Sequence, residues 1–129
     1  MELHVGLKGL AETEVCRDNT ADTVGSGALP VFATPSMIAL MEKAALESVQ
    51  PFLDEGQGTV GTLMNTSHLS ATPIGMTVRA ESELTEIDRK KLTFAVRAYA
   101  GGELIGEGVH QRFIIDQQRF MEKALQKLG

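Results

Sequence analysis

Residues 34–53 read TPSMIALMEKAALESVQPFL, and this stretch decides the fold. Thr34 is predicted to be the N-cap of a helix and Pro35 its first residue, where the missing N–H of proline costs nothing. Apolar residues then recur at helical spacing over more than one narrow stripe, so the helix is expected to be largely buried. Pro51 is expected to weaken the last turn of this helix.

Beyond the helix the hydrophobic period changes to two, which is typical of β-strands. The clearest alternation runs from Thr77 to Ile87. The predicted strands are residues 10–17, which include Cys16, and residues 59–67, 77–87, 92–98 and 104–115.

Glycines mark the connections between these strands. Gly101 and Gly102 predict a two-residue hairpin, and Gly106 with Gly108 indicates a bend or bulge in the last strand. Residues 18–33 are expected to form a loop, and residues 121–128 a short amphipathic helix.

The order of these elements predicts an α+β domain that spans residues 1–129. A buried helix needs a surface to cover it, and the strands offer one apolar face. We therefore expect a curved antiparallel β-sheet wrapped around the long central α-helix. An open sheet edge favours a homodimer with two-fold symmetry, or a tetramer of two such dimers.

Composition narrows the functional classes. The chain has 129 residues, 43% of them hydrophobic, and a net charge of −5. This acidic balance argues against nucleic acid or an anionic membrane as a partner. A single cysteine, Cys16, and a start that does not resemble a secretory signal predict a cytoplasmic protein. No metal-binding spacing such as HExxH occurs, so neither a metal site nor a cofactor is expected.

Glu42 is the most informative polar residue of the helix. Its neighbours three and four residues away are all apolar: Ile38, Ala39, Ala45 and Leu46. A carboxylate in such a setting needs a partner, a proton or a wet cavity. Two interpretations stay open, a catalytic carboxylate in a cleft and a structural ion pair across a dimer interface.

Thr34 and His68 also have two interpretations each. Thr34 is either a simple helix cap, or it lies at a helix end whose free N–H groups hold an oxyanion. His68 is either a structural polar group or a general base.

The ordered set of short motifs along the chain resembles a known family. These motifs are Val31-Phe32-Ala33-Thr34-Pro35, Ala39-Leu40-Met41-Glu42, Val60-Gly61-Thr62, residues 67–76 (SHLSATPIGM) and residues 106–112 (GEGVHQR). Together they are similar to the hot-dog fold thioesterases related to fluoroacetyl-CoA thioesterase, over roughly residues 5–120.

The resemblance implies a homodimeric hot-dog domain that hydrolyses short acyl-CoA thioesters, with coenzyme A as part of the substrate. The catalytic Thr, Glu and His of the family fall on Thr34, Glu42 and His68. The resemblance also places substrate-binding residues at Pro35, Gly61 and Arg112. One departure concerns selectivity for fluoroacetate, because residues 22–29 (DTVGSGAL) lack the aromatic side chains that cover the acyl pocket in the fluoroacetyl-specific enzyme.

Helix geometry adds a constraint to this set. Eight residues of helix rise about 12 Å, so Thr34 and Glu42 of one chain cannot touch directly if both are helical. Either His68 and the substrate bridge them, or the site combines residues from two subunits. We favour the second alternative and expect an acyl-CoA thioesterase whose site lies at the dimer interface. The alternative is a non-catalytic acyl-CoA-binding or sensing protein of the same fold. A hot-dog hydratase is disfavoured because no close Asp and His pair is present.

Overall fold

A computed structural model describes residues 2–129. Its five strands are β1 (Lys8–Glu14), β2 (Gln57–His68), β3 (Thr77–Asp88), β4 (Lys91–Ala100) and β5 (Glu103–Asp116). Its α-helices are α1 (Ala21–Val24), α2 (Thr34–Val49) and α3 (Gln117–Leu125), with 3-10 turns at Arg17–Asn19, Gln50–Phe52 and Gln126–Leu128.

All five strands form one antiparallel sheet in the order β1-β3-β4-β5-β2. Helix α2 packs across its inner face and contacts β1, β2, β3 and β4. The expected curved sheet around a central helix is therefore confirmed. Strands β1 and β2 are the two edges, and each has one side without a partner strand in this chain.

The alternating positions of β3 and β4 build the core as predicted. Val78, Ala80 and Leu84 of β3 are buried, and Phe94 and Val96 of β4 lie among them. The helix contributes one buried face to this core, formed by Met37, Leu40, Met41, Ala44, Ala45 and Val49. Fully burying each large aliphatic or aromatic side chain contributes about 1.5–3 kcal/mol, so this face fixes the helix on the sheet.

Helix α2 differs from the prediction at both ends. Its N-cap is Ala33, and Thr34 is the first helical residue without a capping bond from its side chain. The α-helix ends at Val49, and a 3-10 turn that contains Pro51 follows. Proline cannot donate the next backbone hydrogen bond, so the weakening expected at this point is confirmed.

The connections are confirmed in outline and corrected in detail. Gly101 and Gly102 have φ values of 57° and 80° and close the β4–β5 hairpin, as a type I′ turn requires. The register between β4 and β5 shifts at Ile105, which has no partner residue on β4 and directly precedes Gly106. The first strand ends at Glu14 rather than residue 17, which leaves Cys16 exposed outside it. The expected loop over residues 18–33 contains helix α1.

Candidate functional site

The hydroxyl of Thr34 and the ring of His68 form a hydrogen bond. Thr34 Oγ1 lies 2.7 Å from His68 Nδ1. Thr34 begins helix α2, and His68 is the last residue of β2. The contact joins residues 34 positions apart and explains why Thr34 does not cap its own helix. A hydroxyl paired with an imidazole is the arrangement by which proteins move a proton to or from a reacting oxygen.

The second ring nitrogen of His68 is enclosed and unpaired. Within residues 2–129, His68 Nε2 has no hydrogen-bond partner. An enclosed polar atom of this kind costs about 1–3 kcal/mol, which is unusual for a residue that serves only the fold. Burial lowers the pKa of His68, and a contact between its ring and the backbone of Ser70, too poorly aligned to be a hydrogen bond, offsets this only in part. The ring is therefore neutral at pH 7 and available as a base.

A depression of about 310 Å³ opens beside this pair. Small side chains from the segment before α2, including Ala21 and Ser26, line it, together with Phe32 and Leu69. Larger grooves of about 430 Å³ lie on the sheet near Arg79 and Glu81, away from His68. We place the candidate site at the smaller depression because the hydroxyl and imidazole open into it.

Glu42 lies two turns further along α2 in different surroundings. Its side chain is 42% exposed, and Oε2 lies 3.9 Å from Arg112 Nη1. The carboxylate is thus half-buried, and its cationic partner comes from β5 of the same chain rather than from across an interface. Within residues 2–129, no hydrogen bond or ion pair joins Glu42 to Thr34 or His68.

Arg112 is itself buried, with its side chain 7% exposed. Its Nε donates to Thr59 Oγ1 at 2.8 Å, and its Nη2 donates to the Thr59 carbonyl at 2.9 Å. Its Nη1 lies 3.2 Å from His110 Nε2. The guanidinium plane is therefore held on three sides, and Nη1 faces Glu42.

His110 and Thr59 are buried polar residues that the sequence did not single out. A signal for His110 was present, because it lies two residues before Arg112 and shares its inward-facing side of β5. Burial lowers the pKa of His110, the charge of Arg112 lowers it further, and the carbonyl of Leu63 and the charge of Glu42 work against the shift. His110 is thus neutral, as an imidazole beside a guanidinium should be.

Gly61 makes room for the Glu42 carboxylate. A methyl group built on Gly61 would lie 2.8 Å from Glu42 Oε2 and 3.3 Å from His110 Cε1. Gly61 pairs with Arg112 across β2 and β5, next to a bulge at Thr62. Pro35 lies exposed at the second position of helix α2. The substrate contacts expected of Pro35, Gly61 and Arg112 stay predictions.

Comparisons with known proteins agree on one family. A family model described as the fluoroacetyl-CoA-specific thioesterase FlK matches residues 15–118. The fluoroacetyl-CoA thioesterase of Streptantibioticus cattleyicolor is 39% identical over 97 residues, which cover 75% of this chain and 70% of that protein.

Solved structures extend the likeness over the whole domain. A threonine-to-serine mutant of fluoroacetyl-CoA thioesterase FlK, in complex with acetyl-CoA, has a TM-score of 0.91 at 31% identity and covers 98% of this chain and 100% of that one. A hot-dog-like protein from Thermanaerovibrio acidaminovorans has a TM-score of 0.88 at 19% identity, covers 97% of this chain and 93% of that one, and shows the fold alone. The hot-dog fold expected from the motifs is confirmed.

Proposed function

Because the chain belongs to the fluoroacetyl-CoA-specific thioesterase family and so is a thioester hydrolase, we propose that it hydrolyses a short or small acyl-CoA. The observation that carries this proposal is the hydrogen bond between Thr34 and His68 beside an open depression. A related enzyme has been solved with acetyl-CoA, which supports an acyl-CoA as the substrate class.

The proposed chemistry divides the work between three side chains. In one route, neutral His68 takes a proton from a water that the Thr34 hydroxyl positions and Glu42 activates; the water oxygen adds to the carbonyl carbon, the C–S bond breaks, and the imidazolium returns the proton to the thiolate of coenzyme A. In the other route, Glu42 attacks the carbonyl carbon and the thiolate leaves, which forms a mixed anhydride. Water then opens the anhydride with His68 as its base, and the imidazolium passes the proton to the thiolate. The reaction as written needs no cofactor.

The distance between the two groups supports a site shared by two subunits. Gly61, beside Glu42, and His68 are both on β2 and seven residues apart. Seven residues of extended strand span about 23 Å. One chain therefore cannot bring the carboxylate and the imidazole together around a single thioester.

Pairing of two copies through the free edge of β2 would solve this problem. In an antiparallel pair of β2 strands centred on Asn65, Leu63 lies opposite the partner subunit's Ser67, and the bulge at Thr62 brings Gly61 next to the partner subunit's His68. The Glu42 carboxylate then approaches the Thr34–His68 pair of the other copy. We propose a homodimer of this kind, with two equivalent sites.

The acyl pocket is proposed to be less restrictive than a fluoroacetate-specific one. The loop at residues 22–29 has no aromatic side chain, and Ala21 and Ser26 leave the depression open. We therefore propose acetyl-, propionyl- and aryl-acetyl-CoA as substrates. None of the helices formed by residues 2–129 is long and apolar enough to cross a bilayer, and a cytoplasmic location stays a prediction.

Thiol release from a panel of acyl-CoA thioesters tests the activity. We expect turnover of several short acyl-CoAs, nearly abolished in Glu42→Ala and His68→Ala. If the folded protein is stabilised by acyl-CoA but releases no thiol, it is an acyl-CoA-binding protein, and the proposal is wrong. Transfer of solvent ¹⁸O into Glu42 during a single turnover would separate direct attack from activation of water.

Mixed dimers of Thr34→Ala and Glu42→Gln test the shared site. If each site is built across the interface, a mixed dimer has one site with both side chains intact and one site with neither. Random reassortment of equal amounts should therefore restore about a quarter of the wild-type rate. If the mixture stays inactive while exchange of subunits is demonstrated, each site belongs to one chain.

A further inference from the structure

Arg112 is a buried cation with a fixed orientation. Two of its nitrogens donate to Thr59, one to the side-chain oxygen and one to the carbonyl oxygen. This double contact sets the plane of the guanidinium. It leaves Nη1 between His110 and Glu42, 3.2 Å from the ring and 3.9 Å from the carboxylate.

The tautomer of His110 follows from its two partners. Its Nδ1 lies 2.8 Å from the carbonyl oxygen of Leu63. A carbonyl oxygen only accepts, so Nδ1 carries the proton and donates it. In the neutral ring, Nε2 is then an acceptor, which is what an Arg112 N–H requires.

The ring of His110 also has little freedom to move. The residue is 1% exposed and stacks on Phe94, with ring centroids 6.0 Å apart and planes at 29°. Leu63 follows the bulge of β2 at Thr62, close to the glycine that makes room for Glu42. His110 thus connects the backbone of β2 to the Nη1 of Arg112.

We propose that His110 is a positioning residue that holds the Arg112 guanidinium towards the Glu42 carboxylate. Its acceptor nitrogen takes one Nη1 proton and leaves the other directed at Glu42. The carboxylate is thereby held in place against Gly61 before substrate arrives. The inference rests on the proposed function, since it gives Glu42 a part in thioester hydrolysis.

Two substitutions separate the two hydrogen bonds of the ring. The amide of glutamine reaches about as far as Nε2, and its oxygen accepts from Arg112, whereas the amide of asparagine reaches only as far as Nδ1 and donates to Leu63. His110→Gln therefore keeps the contact with Arg112, and His110→Asn keeps the contact with the strand. Each variant loses one buried hydrogen bond, so both should lower the melting temperature.

The expected result is rescue of turnover by glutamine alone. In thiol-release assays, His110→Asn should lower kcat roughly 10- to 100-fold, and His110→Gln should stay within about threefold of wild type. KM should change little in either variant, because the effect falls on the reacting carboxylate. In an Arg112→Met background, the difference between the two variants should disappear.

Failure of the inference is distinguishable from failure of the proposed function. If Glu42→Gln abolishes turnover but His110→Asn and His110→Gln lose activity in proportion to their stability, His110 is purely structural and the inference is overturned. If Arg112→Met leaves the difference between them intact, the effect does not pass through Arg112, and the inference is again overturned. If Glu42→Gln is as active as wild type, the proposed role of Glu42 fails first.

Discussion

The two ends of the proposed site, both on helix α2, are built in opposite ways. At its first residue, Thr34 meets a histidine whose other nitrogen is unpaired, beside an open depression. Two turns later, Glu42 faces a buried arginine that is held by Thr59 and His110. In the first region, polar atoms remain free for chemistry. In the second region, almost every polar atom holds the Arg112 guanidinium in place. The contrast suggests that proton transfer and charge placement are separate tasks in this enzyme.

The largest expected effect on kcat comes from removing the imidazole of His68 in the first region. His68→Ala should lower kcat by about 10²–10⁴-fold because it removes the proposed general base. The free energy of unfolding should change by no more than about 1 kcal/mol, since loss of the hydrogen bond to Thr34 is offset by removal of the enclosed, unpaired Nε2. Thiol release and denaturant unfolding measure the two quantities.

The matched control is His4→Ala, since His4 is an exposed histidine that bonds to the nearby backbone at Glu2 and packs edge-on against Phe52. It should match wild type in thiol release. If the His68→Ala protein retains full turnover, the reaction does not take place at this region.

Loss of the buried Arg112 cation in the second region should mainly lower the free energy of unfolding. Arg112→Met leaves Thr59 Oγ1 and His110 Nε2 without their partner and should destabilise the protein by about 3–5 kcal/mol. Urea unfolding at a fixed protein concentration measures the change, because dimerisation also affects apparent stability. Arg97→Met, at an exposed position of β4, is the control and should cost little. An equal loss in both variants would show that the buried network adds nothing.

Gly61→Ala sharpens the comparison because the new methyl group crowds the Glu42 carboxylate more closely than it crowds His110 or Arg112. The new methyl group would lie 2.8 Å from Glu42 Oε2, which is the mobile end of a flexible side chain. We expect a fall in kcat of about 10²-fold from the displaced carboxylate, with a small change in stability. Gly58→Ala, on the same strand, would meet only the side chain of Gln117 and is the matched control. Equal kcat values for the two variants would contradict the role given to Gly61.

Local patterns predicted the parts of the fold that depend on local physics. The alternation at Val78 to Leu84 placed the inner face of β3 correctly, and the Gly101–Gly102 pair placed the hairpin. The same reasoning was wrong about the cap of helix α2. Serine and threonine usually cap helices because no better partner is near, but the hydroxyl of Thr34 bonds to His68, 34 residues away. A contact of that kind is set by tertiary packing and leaves no trace in helix-cap statistics.

The residues of the candidate site could be proposed from the sequence one by one, but their arrangement could not. The apolar neighbours of Glu42 revealed a carboxylate in an unusual setting, and the family motifs supplied its companions. The partner of Glu42 could not be read from the sequence, since Arg112 is 70 residues away and approaches through the pairing of β2 and β5. His110 was passed over because a single histidine on an apolar strand has no distinctive spacing.

The smallest expected effect is on the pH dependence of stability and activity. It comes from the two partly or fully buried histidines, His68 and His110. Burial lowers the pKa of both His68 and His110 below the ordinary value of 6.5. Each ring therefore binds fewer protons in the folded than in the unfolded chain. The stability tied to each neutral ring is fully present above pH 6.5 and is lost as the pH falls through the lowered pKa.

For activity, the same shift means that the base form of His68 persists into mildly acidic solution. In a profile of kcat/KM against pH, the midpoint of the acid limb should lie below pH 6.5. His110→Gln removes one of the two titrating rings, so it should flatten the loss of stability at acid pH while leaving that limb in place. An acid limb above pH 6.5 would mean that the catalytic imidazole is stabilised as a cation, and the open end of α2 would then be a charged site rather than a neutral base.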